Sequence, residues 1–281
     1  MLFLTEIIME ARDVVHQYPD GTRALNNITL SLEKGKKIAF LGPNGAGKST
    51  LFLHFNGILK PARGKIIFRG REIRYDHSSL TELRKNVGIV FQDPEIQLFS
   101  ASVYQEISFG PLNMGLSREE VRRRVDRAME ITGVTGLKNK ATHYLSYGQK
   151  KRVSIADILA MNPQVIIFDE PTSGLDPKLT GQIMELFDGF SREGKTVILS
   201  THDVNAAYSW ADHVIVIKDG SVAGEGEPED IFQDDGLLAA ADLDKPWLVD
   251  VYRQLRSRGL VAEGCGVPRT REKLFGLIRN I

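Results

Sequence analysis

Cysteine is nearly absent: the 281-residue chain has one, Cys265. A single thiol cannot close an internal disulfide, which fits a reducing compartment. Its setting, Gly264-Cys265-Gly266, has no second cysteine or neighbouring histidine, so it reads as an inert thiol rather than a nucleophile or ligand. Net charge is also absent, because 36 Lys and Arg balance 36 Asp and Glu. That excludes the basic excess of a general nucleic-acid coat, and no nucleic-acid partner is expected. No apolar run approaches the roughly 20 residues that a membrane helix needs. The apolar start, Met1 to Ile8, is short, carries Glu6 and lacks a basic leader, so it reads as a first strand or its approach rather than a signal peptide. Service to a membrane would therefore go through docking to other subunits. Internal repeats and low-complexity tracts are missing too.

What the chain does have is alternation of short apolar runs with helical stretches. Ile28–Leu32 and Lys37–Leu41 are strand-like, residues 64–92 read as further strands ending in Val87-Gly88-Ile89-Val90-Phe91, and residues 102–160 read as helical. Ser117-Arg118-Glu119-Glu120 has the capping-box pattern at a helix start. Val165–Phe168, Thr196–Ser200 and Val214–Ile217 are fully apolar strands or nearly so, as expected of a parallel sheet covered on both faces. The helical insert at about 102–160 interrupts that alternation as a subdomain. Gly224-Glu225-Gly226-Glu227-Pro228 marks a boundary between residues 1–228 and a mostly helical C-terminal piece, 229–281. The length suits one large α/β domain plus such an appendage.

The strand 37–41 runs directly into Gly42-Pro43-Asn44-Gly45-Ala46-Gly47-Lys48-Ser49-Thr50, followed by a helix-like apolar stretch. Strand, glycine loop and helix in that order form the P-loop pattern. Glycines let backbone N–H groups turn inward onto phosphate oxygens, and the helix start offers its positive end to the same anion. Lys48 adds a point charge toward the β- and γ-phosphates of ATP, and the Ser49 hydroxyl suits Mg2+. The apolar strand 165–168 ends in Asp169-Glu170. Asp169 can hold Mg2+ through water, and Glu170, pointing the other way if the strand continues, can orient or deprotonate an attacking water.

On these residues the chain resembles the ABC ATPases, collinearly over about residues 8–228. Leu145-Ser146-Tyr147-Gly148-Gln149 resembles their signature motif, with Tyr147 where the family usually has glycine. Ser173-Gly174-Leu175-Asp176 resembles the D-loop, His202 the switch histidine and Gln92 the Q-loop glutamine, and Tyr18 stands where the family keeps an aromatic that stacks on adenine. The resemblance implies an α/β fold: a P-loop NTPase core of the RecA-like kind, an antiparallel β subdomain, a helical subdomain and the C-terminal extension. It implies ATP and Mg2+ as cofactors, with Gln92, Glu170 and His202 at the γ-phosphate and Gln92, Ser49 and Asp169 at the metal. It also implies that the P-loop of one copy is completed by Ser146, Gly148, Gln149 and Asp176 of a second, identical or closely related copy.

Phe91-Gln92-Asp93-Pro94-Glu95-Ile96-Gln97-Leu98-Phe99-Ser100 and the stretch Val103–Pro111 are similar to the ATPases of energy-coupling factor (ECF) importers, especially their cobalt and nickel subunits. The similarity implies a peripheral subunit on the cytoplasmic face of the cell membrane. A transmembrane coupling subunit would put a helix into a groove lined by Ile96, Leu98, Phe99 and Val103, unless these are core residues of the helical insert. A separate membrane subunit would bind the cargo, because the six histidines of this chain form no ligand-spaced cluster. Vitamin-importing ECF systems and soluble ABC ATPases are the alternatives. The C-terminal helices would help dimerise the chain or merely cap it. The basic run Arg118–Arg127 reads as a solvated helix face, with lipid headgroup contact as the other option.

Overall fold

The computed structural model describes residues 6–261 and 265–278, so residues 1–5 of the expected first strand lie outside it. Two strands, β1 (Ile7–Gln17) and β2 (Arg23–Glu33), pair antiparallel, followed by β3 (Lys37–Leu41) and α1 (Lys48–Phe55). Next come β4 (Arg63–Phe68), β5 (Arg71–Glu72), α2 (His77–Asn86) and β6 (Val87–Val90). A helical layer follows: α3 (Val103–Asn113), α4 (Arg118–Ile131) and α5 (Tyr147–Met161). The chain then alternates through β7 (Val165–Phe168), α6 (Pro177–Arg192), β8 (Thr196–Ser200), α7 (Val204–Trp210), β9 (His213–Lys218) and β10 (Ser221–Gly226). It ends in α8 (Pro228–Ile231), α9 (Asp235–Ala240), α10 (Trp247–Ser257) and α11 (Arg271–Ile278).

The strands form two sheets, β2-β1-β4-β5 and β10-β9-β3-β8-β7-β6. In the larger sheet β9, β3, β8, β7 and β6 run parallel, and β10 turns back antiparallel on β9. The continuous apolar runs follow from burial on both faces. Alternate residues of β3 go to opposite sides: Ile38 and Phe40 pack under the antiparallel sheet with Phe52 and Phe55 of α1, whereas Ala39 and Leu41 face the layer of Phe187, Tyr208 and Trp210. A third core, including Val103, Ile107, Val125 and Val153, holds α3, α4 and α5 together.

Two local readings need revision. Residues 64–92 are not all strand, because α2 occupies 77–86. Only Leu83 of that helix is buried, so no apolar period announces it; the Asp76 carboxylate accepting from Ser79 N at 3.0 Å starts it. Ser117 does cap α4, accepting from Glu120 N, but Glu120 turns away to Arg123 and Arg124 instead of closing the box. The segment Gly224–Pro228, expected to mark a boundary, is the end of β10 and the start of α8. Beyond it, Ile231, Phe232, Leu238, Leu248, Val249 and Leu274 join the core that contains Phe187 and Trp210, so among the described residues this segment shares the main core. Arg269 fixes it further, donating to the carbonyls of Tyr208 (3.0 Å) and Ala211 at the end of α7.

Candidate functional site

The loop after β3 is built around glycines that cannot be replaced freely. Gly42 has φ 138°, and a Cβ there would lie 2.0 Å from the Ile217 carbonyl oxygen. Gly47, at the start of α1, has φ 107°, and its Cβ would lie 2.5 Å from the Ala24 carbonyl oxygen. Both demand a residue without a side chain. No side chain caps α1, so its first N–H groups stay free to meet an anion. Lys48 is buried and donates to the Gly42 and Pro43 carbonyls at 2.7 and 3.0 Å. Burial pulls its pKa down, and the negative charges of Glu170 and Asp169 pull the other way. The loop folds back on itself through Ala46, whose N–H donates to Pro43 and whose carbonyl accepts from Gly220.

Next to it, β7 ends and delivers the two acids. Asp169 N–H still pairs with the Val90 carbonyl at 3.0 Å, extending the ladder by one residue. Glu170 then takes φ 44°, so the chain leaves the strand there. The expectation that Glu170 points away from Asp169 as a strand neighbour is therefore corrected: the left-handed turn lets both acids line the same cavity. Ser200, at the end of β8, locks the turn, donating to Asp169 Oδ1 at 2.6 Å and accepting from Glu170 N–H at 2.8 Å. Both acids are buried. Glu170 Oε2 lies 3.1 Å from His202 Nδ1, while Oε1 is buried with no partner. His202 itself is largely exposed, at 72% of its side chain.

A cavity of about 460 Å³ gathers Tyr18, the loop residues Asn44, Gly45, Ala46, Gly47, Lys48, Ser49 and Thr50, then Gln92, Asp169 and Glu170. At Gly45 a Cβ would meet nothing within 4 Å, so the loop stands clear of the rest of the chain there. Free helix N–H groups, a buried ammonium and a glycine cradle fit a polyphosphate. Hydroxyl, carboxamide and carboxylate oxygens of Ser49, Gln92 and Asp169 are hard donors that suit Mg2+, which would hold together and partly neutralise the phosphate charge.

Tyr18 belongs to a closed circuit. Its hydroxyl and Thr50 Oγ1 are 3.0 Å apart; the Thr50 carbonyl lies 2.7 Å from His54 Nδ1. The His54 ring meets the His16 ring edge-on at 4.7 Å, and His16 meets Tyr18 the same way at 4.7 Å. A carbonyl only accepts, so His54 carries its proton on Nδ1. Burial pushes the His54 pKa down to about 4, keeping the ring neutral. His16 and His54 gave no signal in the sequence beyond being histidines, because what joins them is a contact between β1 and α1.

Ser146, Gly148, Gln149 and Asp176 are not in that cavity. They line a separate hollow of about 270 Å³ that contains no P-loop residue. Ser146 and Gln149 form a full capping box at the start of the 15-residue α5: Ser146 Oγ accepts from Gln149 N, and Gln149 Oε1 accepts from Ser146 N. Asp176 caps α6, accepting from Leu179 N at 2.9 Å. The P-loop, Gln92, Asp169, Glu170 and His202 thus converge within one chain, and the four signature-side residues open elsewhere.

A third hollow, an apolar groove of about 620 Å³, runs between α2, α3 and the segment after Gln92. Ile96 and Phe99 line it and are 71% and 67% exposed. Val103 is instead fully buried among α3, α4 and α5, and Leu98 packs against that same core, so these two serve the helical layer. No cluster of three or more His, Cys, Asp or Glu able to hold a metal occurs among the described residues, and no helix there is long and apolar enough to cross a membrane.

The chain is similar to ABC transporter proteins in sequence and in fold. The profile of the ABC transporter family matches residues 25–173. The energy-coupling factor transporter ATP-binding protein EcfA of Methanococcus maripaludis is 52% identical over 85% of this chain and 86% of its own length. A Methanosarcina mazei protein bearing an ABC transporter ATP-binding name is 46% identical over 98% of this chain, which spans 60% of that protein. Among solved structures, cbiO1 from Clostridium perfringens, part of the ABC transporter complex cbiONQ, superposes with a TM-score of 0.75 at 44% identity, covering 90% of this chain and 99% of that one.

Proposed function

The chain belongs to the ABC transporter ATPases, and on that premise we propose that it is the ATP-hydrolysing subunit of an ECF importer that carries cobalt or nickel ions. It would sit on the cytoplasmic face of the membrane, bound to a transmembrane coupling subunit through the groove, with cargo bound by another membrane subunit. The apolar groove beside Gln92 carries the reading: Ile96 and Phe99 are too exposed to stabilise this chain alone, and an exposed apolar patch of that kind marks a docking surface. The EcfA relative and the cbiO1 neighbour support the energy-coupling transporter class, and the choice of metal over vitamin rests on the resemblance of residues 91–111.

Within the site, Tyr18 stacks on the adenine ring, and the loop Gly42–Thr50 cradles the phosphates. Lys48 leaves the Gly42 and Pro43 carbonyls for the β- and γ-phosphate oxygens, exchanging neutral acceptors for charged ones. Ser49, Gln92 and Asp169 hold Mg2+. The unpartnered Glu170 Oε1 accepts a hydrogen bond from the attacking water and takes its proton, while His202 orients Glu170 through Oε2. Ser146 and Gly148 of a second copy close the site from the other side, because in this chain they line a hollow apart from the P-loop cavity.

The test is reconstitution in proteoliposomes with the membrane subunits of a cobalt-importing and, separately, a vitamin-importing ECF system. ATP-driven uptake of cobalt with the first set and none of vitamin with the second supports the reading. Assembly only with the vitamin set would reassign the cargo, and assembly with neither would remove the importer assignment. Replacing Ile96 and Phe99 by serine should abolish assembly while leaving ATP binding intact.

A further inference from the structure

The cavity that holds the glycine loop has one more wall. Thr22 and the first two residues of β2, Arg23 and Ala24, line it. Both ends of that wall are fixed. At one end a tight turn joins β1 to β2: Tyr18 N–H donates to the Thr22 carbonyl at 2.9 Å, Gly21 N–H to the Tyr18 carbonyl at 2.9 Å, and Thr22 N–H to Asp20 Oδ1 at 2.9 Å. Arg23 leaves the turn opposite Gln17, the residue before Tyr18. At the other end the Ala24 carbonyl comes so close to the loop that only glycine fits at position 47. The backbone carrying Arg23 therefore runs from the aromatic ring to the start of α1.

Arg12 and Lys65 of the same sheet pair with Glu10 and Glu72. Arg23 is exposed, and its guanidinium has no hydrogen-bond or ion-pair partner among the described residues. An unpaired surface arginine is ordinary. This one, however, stands on the wall of a cavity that suits a polyanion, and a planar guanidinium offers paired donors to phosphate oxygens. The order of groups along the wall decides which phosphate it meets. With adenine on Tyr18 and the β- and γ-phosphates at Lys48, the ribose and the α-phosphate fall between them, beside residues 22–24. Lys48 and the Mg2+ ligands serve the outer phosphates, which leaves the α-phosphate without a cationic side chain unless Arg23 supplies one.

We propose that Arg23 is a nucleotide-binding residue whose guanidinium grips the α-phosphate. The inference rests on the reading of the cavity as an ATP site. ATP and ADP share the α-phosphate, so this contact outlasts hydrolysis. It is also made within one chain, so it retains ADP after a second copy has moved away.

The test measures the affinity of the full chain for ADP, a non-hydrolysable ATP analogue and pyrophosphate, each with Mg2+, by competition against a fluorescent ADP analogue. Arg23→Met should weaken ADP and the ATP analogue alike, by about fivefold to tenfold, as expected for losing charge-assisted hydrogen bonds partly open to solvent. Pyrophosphate, which has no α-phosphate on a ribose, should stay within about twofold. Arg23→Lys keeps the charge without the planar fork and should recover part of the loss. Both variants should melt with the wild type, because the side chain has no partner to lose. An equal loss for pyrophosphate would show a long-range charge effect in place of a contact, and an unchanged ADP affinity would show no contact; either result overturns the proposal. Lys48→Ala tests the premise separately. If it binds ADP and the ATP analogue as the wild type does, the ATP-site reading fails; if it loses them while Arg23→Met does not, only the role of Arg23 is refuted.

Discussion

Glu170→Gln is the sharpest test of the site, because the structure says what the substitution keeps. Glutamine has nearly the same shape. Its carbonyl oxygen can still accept from His202 Nδ1, 3.1 Å from the present Oε2, and the backbone N–H of residue 170 still donates to Ser200 Oγ. The left-handed turn and the Asp169–Ser200 hydrogen bond are untouched. What disappears is the basicity of Oε1, the buried atom that no group among the described residues satisfies. A positioned general base contributes roughly 10²–10⁴ in rate; a loss of about 10³ corresponds to about 4 kcal/mol of transition-state stabilisation. ATP binding should hold or tighten, since one negative charge is removed from beside the triphosphate. The assay is phosphate release under saturating ATP, with analogue binding measured in parallel. Turnover within about fivefold of the wild type would show that the water is activated elsewhere and that the orphaned oxygen is not the base.

Three other outcomes follow from particular contacts. Gly42→Ala should abolish ATP binding and lower stability by about 2–4 kcal/mol, since its Cβ would sit 2.0 Å from a β9 carbonyl that cannot yield; urea unfolding checks it. His16→Ala should raise KM for ATP severalfold without changing kcat, by releasing the edge that holds the Tyr18 ring, and His16→Phe should restore it; steady-state kinetics with all three proteins decide the point. Burial pushes the Asp157 pKa up to about 7, against the hydrogen bond from Gln97. The folded chain therefore holds a proton that the unfolded chain releases near pH 4, so stability falls as pH rises from about 4 to about 7 and then levels. Asp157→Asn should remove that slope and be the more stable protein at pH 8, measured by urea midpoints at pH 5 and pH 8.

The parts of this molecule legible in the sequence are those written by local rules. The strand, glycine loop and helix at 37–55 announce themselves because backbone φ and phosphate size both demand glycine at fixed spacing. The runs at 165–168 and 196–200 announce burial on both faces because every position is apolar or small. The parts that were not legible depend on contacts distant in sequence. Helix α2 has one buried residue and so no period to read. Ser200 becomes part of the acid turn only because β7 and β8 pair with Phe168 opposite Leu199, which sets the next residues level. The left-handed turn at Glu170 cannot be seen in a strand pattern that simply runs out at two acids. The C-terminal helices looked like an appendage because their apolar residues cluster in sequence, yet the surface they cover belongs to α6 and α7.

The stripe of Tyr147, Lys150 and Lys151 along α5 was hidden for a different reason: a polar stripe on a helix reads as a solvated face, and only its contacts with Phe91, Gln92 and Glu95 reveal that it faces protein. The capping box satisfies the N–H groups of Ser146 and Gln149, so what the α5 start offers the hollow is the positive end of the helix and not those two donors. On the function proposed above, an anion that fits there is the ATP of a second copy.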